Sequence, residues 1–269
     1  MGDETNLDKI LTDEEKDLIV AQNSRLVPQF KANQLEEHAQ KHWDLFYKRN
    51  ENRFFKDRHW TTREFQDLLN EKYQCEKRVL FEIGCGTGNF IFPLIEAGLN
   101  FEIIACDLSK RAVEIVRRNK LYNKTFNVFV GDITVDNFDE VKSNSVDIAT
   151  LIFVLSAIHP DKFIKTLKNI FDKLKPGGVL LFRDYGLYDM AQLRFKAGHK
   201  ISENLYMRQD GTRCYYFSLD FIKNVMEKVG FEIISNVYVH RRTINKKEGV
   251  DVPRIFVQGK FQKSSSEKG

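Results

Sequence analysis

The chain has 269 residues, 42% hydrophobic and 12% aromatic with 22 Phe, values of a globular protein with a sizeable, aromatic-rich core. Its net charge of +4 is uneven: residues 1–20 hold seven acids against two lysines, so the remainder carries +9, and from Asp184 onward fifteen Lys/Arg face ten Asp/Glu. No run of eighteen apolar residues exists to predict a membrane span, and the modest basic bias permits a polyanionic partner as readily as an ordinary solvated surface.

The acidic, polar start MGDETNLDKI is unlike a signal or transit peptide, and Asn6 stands where a myristoylation pattern wants Ser or Thr. Thr12-Asp13-Glu14-Glu15 reads as a capping box opening a short helix over 12–22. A longer amphipathic helix is predicted over 31–48, with Leu35, Ala39, Trp43 and Phe46 at three- and four-residue spacing. After a polar stretch, 49–59, another helix is predicted from Thr61 to about Tyr73.

From Arg78 the pattern alternates. Strands are predicted at 78–83, 101–106, 126–130, 146–154 and 178–183, with helices at 89–97, 109–119 and 160–174 between them. This βαβα order means a parallel sheet with crossover helices. Leu174-Lys175-Pro176-Gly177-Gly178 announces the strand at 178, as a helix end, a Pro stop and two glycines. A polar, aromatic and basic segment of about thirty residues follows Asp184; its length and aromatic content make it a candidate substrate element. A helix at 218–229 and two strands, 231–240 and 252–261, close the pattern before the low-complexity tail Ser264–Gly269.

The chemistry-bearing loop is Glu82-Ile83-Gly84-Cys85-Gly86-Thr87-Gly88-Asn89. Glycines here let backbone approach a ligand at the open end of a parallel sheet. Asn89 stands where a dinucleotide fingerprint wants its third glycine, and Glu82 would set a carboxylate against a pyrophosphate. A carboxylate there suits a cationic cofactor such as S-adenosylmethionine. Asp107 ends the second strand, where an acid can accept hydrogen bonds from ribose hydroxyls. Gly131-Asp132-Ile133 follows the third strand, where Asp132 can reach an adenine amino group and Ile133 can pack on the ring. Taken singly, each acid also reads as a cap or loop residue, as Asp107-Leu108-Ser109 does. Cys75, Cys85, Cys106 and Cys214 lack metal-ligand spacing and read as reduced thiols of a cytosolic or nuclear protein; His59 and His159 have no partner spacing, so no metal is expected.

In this order, ExGxGxG, D-L-S, G-D-I and L-K-P-G-G resemble the class I methyltransferase superfamily over roughly residues 78–260. That resemblance implies a Rossmann-like α/β fold, a mostly parallel seven-stranded sheet with helices on both faces, and S-adenosylmethionine as cofactor. More specific blocks resemble the tRNA 3-methylcytidine methyltransferases from about Leu35 to Phe261. They are Trp43-Asp44-Leu45-Phe46-Tyr47, Phe54–Thr62, Leu151–Pro160, Arg183–Asp189 and Met207–Arg213. Gln209, Asn245–Gly249 and Val252-Pro253-Arg254 are similar to the methyltransferase-like-six branch, which implies cytidine 32 of the anticodon loop of serine tRNAs and help from seryl-tRNA synthetase.

The resemblance implies a layout of residues 1–77 as a helical lid and RNA-binding extension, 78–261 as the methyltransferase domain with an insert at about 184–217, and 262–269 as a disordered tail. A monomer in the cytoplasm, with the nucleus as second compartment, is expected. Spacing alone makes Trp43 and Tyr47 core packing; the resemblance instead places them in a lid over the cofactor. With Glu82, Gly84, Gly86, Asn89, Asp107, Leu108, Asp132, Ile133 and Ile152 they form the expected cofactor set. Cytosine N3 carries a lone pair and no proton, so no general base is required. Asp184, Asp189 and Tyr185, with Asp210 behind, are candidates for positioning the base and tolerating its cationic product; the acids read equally as turn residues. RNA recognition is expected from Arg58, His59, Arg183, Tyr188, Arg194, Lys196, Tyr206, Arg208 and Arg213, with Lys200 beside them. The alternatives are a methyltransferase acting on threonine or arginine tRNAs, one acting on a non-RNA substrate, or a non-catalytic cofactor-binding scaffold.

Overall fold

In the computed structural model, which describes residues 4–69, 77–123, 125–135, 138–245 and 250–265, the chain begins with a two-residue strand, β1 (Glu4–Thr5). Helices α1 (Asp13–Asn23), α2 (Gln29–Glu37) and α3 (Ala39–Asn50) follow. The Thr12–Glu15 capping box is closed in both directions, at 3.2 and 3.1 Å. The single helix expected over 31–48 is two, because His38 leaves the helical region (φ −103°, ψ 19°). One interrupting residue barely changes the phase of the apolar spacing, which is why the break does not show in the sequence. The helix expected from Thr61 is only one turn, α4 (Thr61–Glu64), ended by Phe65 at φ −118°, ψ 86°, with a 3-10 turn at Gln66–Leu68. The rest of that expected helix, with Cys75, lies outside the described residues.

The alternating region runs β2 (Arg78–Ile83), α5 (Ile91–Glu96), β3 (Phe101–Asp107), α6 (Lys110–Arg117), β4 (Phe126–Val130), β5 (Val146–Ile152), α7 (Phe163–Lys173) and β6 (Leu174–Tyr185). Pro176 and Gly177, expected before the strand at 178, thus lie within β6. After it come α8 (Met190–Leu193), β7 (Lys200–Ser202), β8 (Leu205–Met207), β9 (Arg213–Tyr215), α9 (Leu219–Val229), β10 (Phe231–Asn245) and β11 (Val250–Lys263). Ser218 caps α9, and Gly230 ends it at φ 108°, a conformation that favours glycine. The strand order is β1-β10-β11-β6-β5-β2-β3-β4, so the expected seven strands are joined by an eighth, β1, antiparallel to β10. A second, three-stranded sheet, β7-β8-β9, occupies the segment read from sequence as a substrate element. No helix among the described residues is long and apolar enough to cross a membrane.

Contacts divide the chain into two compact units, with one boundary at the break between α2 and α3. One unit comprises residues 40–151, 165–181 and 262–269. In it β2 pairs in parallel with β3 and β5, and β3 with β4. Buried runs such as Leu80–Ile83 and Ile103–Asp107 explain the parallel arrangement: both faces are covered, so side chains need not alternate. The register pairs Ile83 with Cys106 and Asp107 with Val130. It therefore sets the carboxyl ends of β2, β3 and β4, with the loops after them, along one edge.

The other unit comprises residues 1–39, 152–164 and 182–261. Here α1 is tied to the insert through Gln22, which donates to the Gln192 carbonyl at 2.9 Å and accepts from the Tyr206 hydroxyl at 2.9 Å. Tyr206, Cys214 and Tyr216 form a buried cluster, with Phe195 stacked on Tyr206 at 4.8 Å.

Candidate active site

The loop after β2 is a series of left-handed glycines: Gly84 at φ 66°, Gly86 at 53° and Gly88 at 85°. It is bound back to β3, since Cys85 N–H donates to the Cys106 carbonyl at 3.0 Å and Gly86 N–H to Asp107 Oδ2 at 2.8 Å. Asp107 Oδ1 accepts the Ser109 N–H at 2.8 Å. Burial pushes the Asp107 carboxyl up to about 6; the Ser109 and Gly86 N–H groups oppose that, and the Asp44 charge adds to it. Each Asp107 oxygen keeps a second acceptor position for a ligand hydroxyl.

Glu82, near the end of β2, is the most informative residue beside the loop. It is buried, and its Oε2 has no hydrogen-bond partner. Burial drives its carboxyl well above the ordinary range, relieved in part by Arg58 and raised further by Asp107. A buried, unmatched carboxylate oxygen beside a glycine loop is a cradle for a cation, and S-adenosylmethionine brings an ammonium and a sulfonium. The residues present fit that cofactor.

Helix α3 closes on the same loop. The Tyr47 hydroxyl sits 2.9 Å from where a Cβ on Gly86 would be, and Tyr47 packs with Trp43 and Phe46. Gln40 Nε2 donates to the Leu108 carbonyl at 3.1 Å, and Asp44 accepts the Ser109 hydroxyl at 2.5 Å. Asn89 reaches the other way: its side-chain amide donates to the Phe55 carbonyl at 3.2 Å and to Asp57 at 2.9 Å, while its backbone carbonyl accepts the Arg58 N–H. Asn89 therefore clamps the Phe54–Trp60 block onto the loop. Arg58, expected at RNA, has its charge felt by Glu82 and Tyr47, beside the cofactor cradle. Asp132 accepts the Thr134 N–H at 2.9 Å, and buried Ile133 is held by Asn169 through its carbonyl at 2.8 Å. Ile152 is the buried last residue of β5.

In the other unit, Asp184 is wholly buried, accepting the Ser156 N–H on Oδ2 and the Tyr185 N–H on Oδ1, both at 2.9 Å. Burial pushes its carboxyl up to about 6, against the Ser156 and Tyr185 hydrogen bonds and the Arg208 charge. Half-buried Tyr185 lies 5.2 Å from the Phe153 ring, with the Arg208 and Arg254 guanidiniums 5.5 and 5.9 Å from its centroid. Phe153 sits at φ 60°, a strained conformation for a bulky residue.

Asp189 departs from its expected role. It is committed to structure, capping α8, accepting the Ile255 N–H at 2.7 Å and pairing with Arg254. Asp210 likewise closes a turn onto Thr212.

The expected RNA cations also separate. Arg183 is buried, donating to Gln258 at 2.9 Å and lying over Phe256. Arg213 is buried in an ion pair with Glu36, and buried Lys200 pairs with Glu203 and donates a hydrogen bond to Asn23. Tyr206 is buried in the insert, and Tyr188 is part-buried at φ 61°. His59, Arg194 and Lys196 are exposed. Arg194 and Lys196 line an open cavity of about 360 Å³ with Ala191, Phe195, His199 and Gln209.

Sequence reasoning missed Phe153, Ser156, Arg254, Asp44 and Gln40. Phe153 and Ser156 lie in the family-like block Leu151–Pro160 and Asp44 in Trp43–Tyr47, so adjacency was their only signal.

The methyltransferase-domain family matches residues 35–236 of the chain. The human tRNA N(3)-cytidine methyltransferase METTL6 is 52% identical over 258 residues, covering 95% of this chain and 90% of that protein. The Drosophila melanogaster tRNA N(3)-methylcytidine methyltransferase Mettl2 is 40% identical, covering 95% and 82%. The chain belongs to the tRNA N(3)-cytidine methyltransferase family. It is an S-adenosylmethionine-dependent methyltransferase. A Methanosarcina mazei S-adenosylmethionine-dependent methyltransferase superposes with a TM-score of 0.54 at 19% identity, covering 72% of this chain and 96% of that one. The methyltransferase complexed with the Haloferax volcanii Trm112 activator does so with 0.61 at 14%, covering 86% and 99%. These two support the fold alone.

Proposed function

We propose that this methyltransferase modifies N3 of cytidine 32 in the anticodon loop of tRNA, serine tRNAs foremost, in company with seryl-tRNA synthetase. The observation that carries the tRNA cytidine reading is the 52% identity to human METTL6 across nearly the whole chain. The narrower choice of nucleotide and isoacceptor rests on the branch resemblance of Gln209 and Val252-Pro253-Arg254. We also assign residues 1–77 to a lid and RNA-binding extension, and the protein to a cytoplasmic and nuclear monomer.

Bound S-adenosylmethionine supplies the electrophilic methyl group. The chain's part is to hold that cofactor, orient the base and exclude water. Glu82 faces the cationic end, and Asp107 takes the ribose hydroxyls. Asp132 and Ile133 take the adenine. The incoming lone pair is already on cytosine N3, so no side chain has to remove a proton. Methylation leaves the ring cationic, and a buried carboxylate such as Asp184 stabilises that product when ionised. Tyr185 and Phe153 are aromatic side chains of the kind that unstacked bases meet in RNA loops. Exposed Arg194 and Lys196 beside their cavity suit phosphates.

Nucleoside mass spectrometry of tRNA from cells lacking the protein tests the reading. 3-Methylcytidine should fall in serine tRNAs, and unchanged levels there refute the choice of substrate. Methylation of purified tRNA with and without seryl-tRNA synthetase tests the partner.

A further inference from the structure

The family reading assigns the cofactor to the glycine loop and the acids at strand ends, but leaves Asp44 without a task. Asp44 sits on α3 one turn before Tyr47. Its Oδ1 accepts the Ser109 hydroxyl at 2.5 Å. Ser109 is wholly buried, and the same hydroxyl oxygen accepts the Ala112 N–H at 3.3 Å as the N-cap of α6. Its backbone N–H, in turn, donates to Asp107 Oδ1 at 2.8 Å. The hydroxyl is therefore held from both sides, and the N–H beside it aims at the Asp107 carboxylate. Gln40, one turn earlier on α3, pins Leu108 within the same tripeptide.

We propose that Asp44 is a positioning residue for the cofactor: through Ser109 it fixes the orientation of the Asp107 carboxylate and latches α3 over the cofactor site. The proposal rests on Asp107 being the ribose-binding acid. One carboxylate is thus oriented by another through Ser109, and docking of the helix and readiness of the site become a single event.

The relay also has an electrostatic signature. The groups facing Asp107 are Asp44 and Tyr47 from α3, Glu82 from β2, Cys85 from the glycine loop, and the Ser109 and Gly86 N–H groups. Burial already holds the Asp107 carboxyl near 6, and the Asp44 charge raises it. Cofactor affinity should fall as pH drops through that region, because a protonated Asp107 loses charge-assisted hydrogen bonding. Replacing Asp44 by a neutral acceptor keeps the Ser109 hydrogen bond and removes the charge, so the decline moves to lower pH. Glu82 is present in parent and variant alike and cancels from the comparison.

Isothermal titration of S-adenosylmethionine into the whole chain from pH 5 to pH 8 tests this with Asp44→Asn, Asp44→Ala and Asp107→Asn. At pH 8, Asp44→Asn should bind within about twofold of the parent, and Asp44→Ala about tenfold more weakly. The acid decline of Asp44→Asn should lie below the parent's. If Asp44→Asn is as weak as Asp44→Ala, or its decline coincides with the parent's, Asp44 is only a helix contact and the proposal is overturned. Parent-like affinity in Asp107→Asn would instead overturn the ribose assignment beneath it.

Discussion

Arg254 Nε lies 2.9 and 3.0 Å from the two carboxylate oxygens of Asp189, which is wholly buried. The same carboxylate accepts the Ile255 N–H at 2.7 Å and the Ala191 N–H at 3.0 Å. Asp189→Ala removes an acceptor from three donors at once and leaves a partly buried guanidinium unpaired. Breaking a fully buried pair costs about 3–5 kcal/mol, and the partial exposure of Arg254 lets water recover some of it, so roughly 2–4 kcal/mol is expected. That corresponds to a fall in melting temperature of roughly 5–15 °C by calorimetry. At a temperature where the variant is folded, its S-adenosylmethionine affinity should match the parent's. An unchanged melting temperature would show that Asp189 is free for another role.

The glycine loop and the strand end beside it were legible because their signals are local. Glycine φ angles, an acid at a strand end and a helix cap are set within a few residues, so Gly84, Gly86, Asp107 and Ser109 announce themselves. The fate of each cation was not legible. Arg213 finds Glu36 across 177 residues of chain, and Arg183 finds Gln258 across 75. A basic residue in a loop-like stretch looks the same in sequence whether its partner is a phosphate or a distant carboxylate. The insert hid its three short strands for a related reason: each has only three residues, too few to show a period of two.

Gly86→Ala should weaken cofactor binding for two separable reasons. At φ 53° an alanine is strained, and its Cβ would press on the Tyr47 hydroxyl at 2.9 Å. In a Tyr47→Phe background that oxygen is gone and only the backbone strain remains. Titration calorimetry on the four proteins of the double-mutant cycle should therefore give a smaller loss for Gly86→Ala when Tyr47 is already Phe. Strict additivity would mean the hydroxyl does not contact the loop.

Two buried acids titrate in the same range but should act on different kinetic constants. The Asp184 carboxyl is pushed to about 6, above the ordinary 3.8, so its ionised fraction falls as pH drops through 6. If the carboxylate stabilises the cationic product base, kcat at saturating cofactor should decline about tenfold per pH unit below that point, and the decline should vanish in a much slower Asp184→Asn. Asp107 should shape only kcat/KM for the cofactor. The stability sign runs opposite to the usual carboxylate. Ionised Asp184 opposes folding, by a penalty absent below pH 4 that grows until about pH 6 and is constant above it. A parent kcat that stays flat down to pH 5 would remove Asp184 from the chemistry.

The separation of buried from exposed cations makes the salt dependence of RNA binding a residue-by-residue test. Arg194 and Lys196 are exposed beside the same cavity, whereas Arg213 is buried against Glu36 and the Ala157 carbonyl. A cation that neutralises a phosphate in single-stranded RNA contributes about 0.7 to the slope of log K against log salt. Arg194→Ala and Lys196→Ala should each weaken tRNA binding and lower that slope by about this amount, measured by fluorescence anisotropy from 50 to 300 mM salt. Arg213→Ala should leave the slope unchanged and instead lower the melting temperature, because half-buried Glu36 loses its ion pair with Arg213. The reverse pattern, with the slope falling in Arg213→Ala and not in the two surface variants, would place the phosphates elsewhere than at the cavity mouth.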